Sequence, residues 1–118
     1  MNNLYTVIAN ALEEVVEKVY FEEAEENATF PYAVFKVPVS TKNYSRDDVI
    51  LEVDIWGNGS AMTIEKLADS VAAKLNRFHY YEDGNLQTSI YQINRLRITD
   101  PDPDLTRRQL RFRCDTYF

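Results

Sequence analysis

The segment DVILEVDIWGNGSAMTIEKLADSVAAKLNRF (48–78) changes its hydrophobic period once, and that change constrains the fold more than any other feature. Val49, Leu51, Val53 and Ile55 alternate with Glu52 and Asp54, so an extended strand here has one apolar face. Past Gly57 and Gly59 the spacing becomes helical, with Ile64, Leu67, Ala68, Val71, Leu75 and Phe78 along one side. Strand, Gly-rich turn and helix is also the wiring of phosphate-binding loops. Here GNGSAMT offers one G-x-G, no Lys before Lys66, and no third glycine. The expected role is mechanical: both glycines allow positive φ at the reversal, and Ser60 caps the helix.

The flanking sequence extends this pattern. Leu4, Val7, Ile8, Ala11, Leu12, Val15 and Val19 form a one-sided stripe, predicting a first helix over about residues 3–20. The acidic FEEAEENAT follows as a solvated connection. FPYAVFKVPV reads as a strand, bracketed by Pro31 and Pro38, which suit strand starts, edges or bulges. TKNYSRDD reads as a hairpin loop. Beyond the second helix, Glu82-Asp83-Gly84-Asn85 signals a turn and Ile90–Thr99 a strand. That strand's parity is broken: Ile90, Leu96 and Ile98 share one face, Tyr91 and Ile93 the other, and a bulge near Asn94 reconciles them. DPDPD leads to a last strand in LTRRQLRFRCDTYF. The expected fold is α+β, with order α-β-β-α-β-β(-β). It has an antiparallel, possibly mixed, sheet of about four to five strands with two helices packed on one face, in a single domain over 1–118.

Chemistry is sparse. Asp100, Asp102 and Asp104 have the spacing of a calcium loop, but Leu105 replaces the required Gly and Arg111 the bidentate Glu. The only histidine, His79, ends the second helix, and the only cysteine, Cys114, sits on the apolar face of the last strand. A zinc site or a Cys–His nucleophile would need those two to meet. Glu52 and Asp54 share a strand face that alternation turns to water, without the burial that separates the roles of paired carboxylates. No catalytic, cofactor or metal residues are expected. No apolar run spans a bilayer, and the N-terminus lacks the basic start of a signal peptide. A lone cysteine suits a reducing cytoplasm.

Charge is the remaining signal. The net charge is −6, and residues 1–30 carry seven acids against Lys18, whereas residues 88–118 carry six Arg against four Asp. Arg95 and Arg97 lie on one strand and Arg107, Arg111 and Arg113 on the next, giving a paired hairpin a basic face. Three readings stand: a solvated or locally paired face, a nucleic-acid surface interleaved with Tyr91 and Tyr117, and a subunit contact. The last fits the charge map best. Glu13, Glu17, Glu22, Glu23, Glu25 and Glu26 are the candidate partners on the next copy, and such a heterologous contact closes a ring on rotation.

The chain also resembles the tail terminator, or tail-completion, proteins of long-tailed phages and prophages. The resemblance rests on LYTVIANALEEVVEKVY, FPYAVFKV, ILEVDIWGNG leading into IEKLADSVAAKLNRF, and the closing RQLRFRCDTYF, in that order over nearly the full length. It implies a non-enzymatic subunit of a ring, a homohexamer, that caps the tail tube, ends its polymerisation and forms the head–tail joining surface. The implied partners are further copies, the major tail tube protein and a head-completion or connector protein. DNA only passes through the lumen. The implied location is the virion tail, and the host bacterial cytoplasm during assembly. The loops STKNYSRDD and YYEDGN are candidates for touching tube or connector. The alternatives are another connector or neck protein of similar size and a small nucleic-acid-binding regulator.

Overall fold

The computed structural model describes residues 2–42, 46–84 and 86–117. Residues 43–45 and 85, which belong to the two candidate contact loops, lie outside the described residues. The elements run α1 (Asn2–Glu13), β1 (Val19–Phe21), β2 (Tyr32–Lys42), β3 (Asp47–Asn58), α2 (Ala61–Leu75), β4 (Phe78–Glu82), β5 (Leu86–Ile98) and β6 (Leu105–Tyr117). One sheet has the order β1-β2-β3-β6-β5-β4, parallel between β1 and β2 and antiparallel elsewhere.

The expected fold class needs correcting. The sheet has six strands rather than four or five, it is mixed, and it dominates the molecule. Nor do the helices lie as a layer on one flat face. α2 rests on β3, β6 and β5, whereas α1 touches β1 at one edge and β5 beside the other. One helix reaches both places only if the sheet curls around it. The curl follows from strand twist accumulated along β3, β5 and β6, each 12 or 13 residues long, and from the bulges in the β2–β3 and β5–β6 pairings.

Both extra strands begin in segments that periodicity assigns to helix ends. α1 stops at Glu13, and the bonds from Val15 N and Val16 N to the Leu12 carbonyl close one last turn. Val16, not Val15, enters the core, and Val19–Phe21 then pairs with Ala33–Phe35. β-branched and aromatic residues favour the sheet once a partner strand is available. Phe78 and His79 likewise open β4 rather than closing α2. The chain leaves α2 through Arg77, whose φ is 66°, and its N–H donates to the Ile90 carbonyl at 2.7 Å.

The core fills the concave side. Val49, Leu51, Val53 and Ile55 face inward as their alternation predicts, joined by Leu110, Phe112 and Cys114 of β6 and Ile90 of β5. Leu4, Ile8, Ala11 and Leu12 of α1 and Ile64, Ala68, Val71 and Leu75 of α2 close over them. Thr88 and Thr116 are buried there too, but their hydroxyls bond each other at 3.0 Å, which removes the cost of leaving them unpaired.

The turn at 57–60 differs in detail from expectation. Gly59 has φ 83°, so it needs the left-handed freedom of glycine. Gly57 does not; there a Cβ would lie 2.1 Å from Ile64 Cδ1, so glycine is required for α2 to pack down on β3. Ser60 is the N-cap residue but its side chain makes no capping hydrogen bond.

Candidate functional site

The sheet face turned away from the helices carries most of the charge. The alternation that sends Val53 and Leu110 inward sends Asp54, Glu52, Arg107, Gln109, Arg111 and Arg113 outward. β3 and β6 pair in register, placing Trp56 beside Arg107, Asp54 beside Gln109 and Glu52 beside Arg111. Arg107 donates from Nε to Asp54 Oδ1 at 3.2 Å, with Nη2 in ion-pair contact 3.1 Å from it, and Gln109 Nε2 donates to the same oxygen at 3.1 Å. The Arg107 guanidinium also stacks over Trp56, 4.7 Å from the ring centroid. Asp54 is only 4% exposed, so alternation did not leave it in water as expected.

Further along, Glu52 stands between Lys36 at 3.7 Å and Arg111 at 3.4 Å, and Arg113 lies 3.2 Å from Asp115 and over Tyr91. Arg111 Nε and Asp115 Oδ1 have no well-formed hydrogen bond, so these two are charge contacts rather than directed bonds. The result is a ladder of opposite charges across three strands. In each rung a partly exposed base meets a largely buried carboxylate, and the more open pairs, Lys36–Glu52 and Arg113–Asp115, contribute little alone.

The arginines do not form the single basic face expected. The β5–β6 register shifts between Gln92 and Asn94, so Ile93 is the extra residue of a bulge. Beyond it the parity of β5 inverts, and Arg95 opposes Leu110 on the helix side. There Arg95 Nη2 donates to Glu65 Oε2 at 2.9 Å and Nη1 to Asp69 Oδ1 at 2.6 Å. Arg108, 5% exposed, donates to Glu65 Oε1. That hydrogen bond above all, then the charges of Arg95 and Arg108, hold the Glu65 carboxyl below the usual carboxylate range. Arg95 and Arg108 thus fasten α2 to the sheet.

Of the five candidate arginines, Arg97 alone has no ion-pair partner among the described residues, and it is exposed. Glu13, Glu17, Glu22, Glu23, Glu25 and Glu26 are all exposed and likewise without ion pairs among the described residues. Glu22 and Glu23 border a cavity of about 250 Å³ whose far wall includes Arg107, so part of the acidic tract and one arginine approach each other within one copy.

Spacing alone missed three residues here. Arg108 was grouped with no function, although its place between outward Arg107 and outward Gln109 already turns it inward. Glu65 and Asp69, four apart on α2, present the complementary carboxylates on one helix face. Their spacing was the available signal.

The remaining chemical candidates are placed as follows. His79 Nδ1 lies 2.8 Å from Ser89 Oγ on the outer face, whereas Cys114 is buried on the inner one, so the two are separated by the sheet. Burial pushes the Cys114 thiol up to about 12. Asp100 and Asp102 accept hydrogen bonds from the backbone N–H groups of Asp102 and Asp104, at 2.9 and 3.0 Å, stiffening their own turn. Among the described residues no group of three or more His, Cys, Asp or Glu is placed to hold a metal ion, and no helix is long and apolar enough to cross a membrane.

Comparison with known proteins adds what the geometry cannot. The model of the family described as tail completion protein gp17 matches residues 4–117. A chain in the virion of a native gene transfer agent particle superposes with a TM-score of 0.66 at 11% identity, covering 91% of this chain and 84% of that one. A second solved protein, which carries only a sequence label, superposes with a TM-score of 0.70 at 10% identity over 100% and 96% of the two chains. At these identities the likeness shows the fold alone. No curated protein matches.

Proposed function

This chain belongs to the tail completion protein gp17 family, and from that premise we propose that it is a structural component of a phage tail that works by assembling into a ring. The observation that carries the reading is the family match over residues 4–117, essentially the whole domain. The proposed ring, a homohexamer, sits at the end of the tail tube, stops its growth and offers the surface on which the head is joined. DNA passes through the lumen without being gripped. The proposed partners are other copies, the tube protein and a head-completion or connector protein, with assembly in the host cytoplasm. Arg97, Arg107, Arg111 and Arg113 and the candidate glutamates are proposed to face a neighbour or the lumen, whereas Arg95 is taken up by α2.

The geometry supports a scaffold rather than a catalyst. Its most buried charges, Asp54 and Arg108, are consumed in bonds that fix one strand or helix to another. A deletion of the gene tests the reading. Infected or induced cells should then accumulate headless tails of irregular length, seen by electron microscopy, and supplying the chain in trans should restore joined particles. Normal-length tails joined to heads in the deletion would overturn it.

A further inference from the structure

The outer face of the sheet holds a cavity as well as a ladder of ion pairs. Tyr32 pairs with Trp56, and Trp56 with Arg107, across β2, β3 and β6. Next along the same face Val34 pairs with Asp54, and Val34 is buried although it points away from the helices. Just past the end of β1, Glu22 and Glu23 lie across from these residues, and together they enclose about 250 Å³. That is below the roughly 300–1,000 Å³ of small-molecule sites and fits one long side chain.

The walls favour a cation. Asp54 takes its bonds from Arg107 and Gln109 on Oδ1, so Oδ2 of a residue only 4% exposed has no donor among the described residues. On the opposite face Glu65 shows the same arrangement completed, with Arg108 on Oε1 and Arg95 on Oε2. Arg107 is held by Asp54 and Lys36 by Glu52, which leaves Glu22 and Glu23 as the uncompensated charges of the cavity. Glu22 has φ 68°, a conformation that glycine adopts more cheaply. Its N–H donates to the Phe35 carbonyl at 2.9 Å, which fixes this carboxylate-bearing residue at the mouth.

We infer that this cavity binds an arginine side chain of a partner protein. The guanidinium reaches Asp54 Oδ2, lies against the aromatic wall of Tyr32 and Trp56, and is closed in by Glu22 and Glu23. Arg107, 4.7 Å over the Trp56 ring, shows that a guanidinium is accepted against that wall. A planar fork serves carboxylates and an aromatic face at once, which a lysine ammonium does not. Nucleic acid is disfavoured, because its phosphates would meet the carboxylates. Among the described residues, six of this chain's eight arginines already stand in ion pairs, leaving Arg77 and Arg97. The source is therefore another protein rather than a second copy. Such a site is complete within one copy and needs no ring.

Trp56 is the chain's only tryptophan, so its emission and its indole N–H resonance report on this cavity. The probes are the Nα-acetyl amides of arginine, lysine and citrulline, the last matching arginine in shape without its charge. The arginine probe should perturb Trp56 saturably at millimolar concentration, and the citrulline probe should not. Glu22→Gln/Glu23→Gln, at exposed positions, should keep the fold by circular dichroism and weaken binding at least about fivefold. No saturable response, an equal response to citrulline or lysine, or undiminished affinity in the double variant would each overturn the assignment. A Trp56 signal that shifts with the chain's own concentration, and stops doing so in Arg77→Gln/Arg97→Gln, would make a second copy the occupant and overturn the choice of partner.

Discussion

α2 packs directly on β3 at Gly57, and this joint makes a quantitative prediction. A methyl group at position 57 would stand 2.1 Å from Ile64 Cδ1 and 2.5 Å from its Cγ1, against the 3.5–4.0 Å or so at which carbon atoms attract. Ile64 is buried, and because Cγ1 also overlaps, swinging the tip of the side chain does not clear the space. Gly57→Ala must therefore lift α2 or distort Ile64, at about 1–3 kcal/mol. Ile64→Ala alone leaves a void and costs about 2–5 kcal/mol. With both changes the conflict disappears, because only Ile64 Cβ remains near position 57, at 3.9 Å. The new methyl then occupies part of the void. The double variant should be no less stable than Ile64→Ala, a departure from additivity of at least about 1 kcal/mol, beyond the roughly 0.5 kcal/mol scatter of independent sites. Urea unfolding of the four proteins measures it, with unchanged slopes confirming that only stability moved. Additive losses, or a Gly57→Ala variant as stable as the parent, would refute the claim that glycine is there for close packing.

Two further predictions concern titratable groups. The Glu65 carboxyl is depressed in the folded state, so its contribution is full above the usual carboxylate range and is lost as pH falls through the folded value. Melting temperatures of the parent should therefore drop more steeply than those of Glu65→Gln as pH goes from about 5 to about 2; parallel curves would show that the Arg108 bond contributes nothing. Cys114, raised to about 12 and buried, should react with a thiol reagent near pH 8 at least about a hundredfold more slowly than after unfolding in urea. Rapid labelling of the folded chain would show that the inner face of β6 opens.

What the sequence made legible was whatever depended on a long uninterrupted period. β3, α2 and β6 stand where alternation and helical spacing put them, and the bulge in β5 was readable from the broken parity of Tyr91 and Leu96. The losses occurred at element ends. Val15, Val19 and Phe78 continue their helical stripes on paper, yet the chain leaves both helices early because Tyr20-Phe21 and His79–Tyr81 find strands to pair with. A period describes which side of a segment is apolar, not which partner will compete for its backbone. The curl of the sheet was invisible for the same reason, being a property of long strands acting together.

The arginines show how one local feature redirects a functional reading. Counted along the sequence, Arg95, Arg97, Arg107, Arg111 and Arg113 make a basic hairpin available to anything acidic. A single extra residue at Ile93 inverts the strand, so Arg95 becomes a fastener for α2 while Arg107, Arg111 and Arg113 find Asp54, Glu52 and Asp115 on the other face. Their charge is then already screened at short range, and a partner would have to compete with a counterion a few ångströms away. The same bulge leaves Ile93 and Leu96 exposed, with Leu96 opposite Gln109 on the outer face and Arg97 opposite Arg108 on the helix side. A partner meeting the outer face would therefore find Leu96 beside ion pairs already formed, rather than a broad field of positive charge. Contacts made there should tolerate salt, whereas a surface built on five free arginines would release its partner as ionic strength rises.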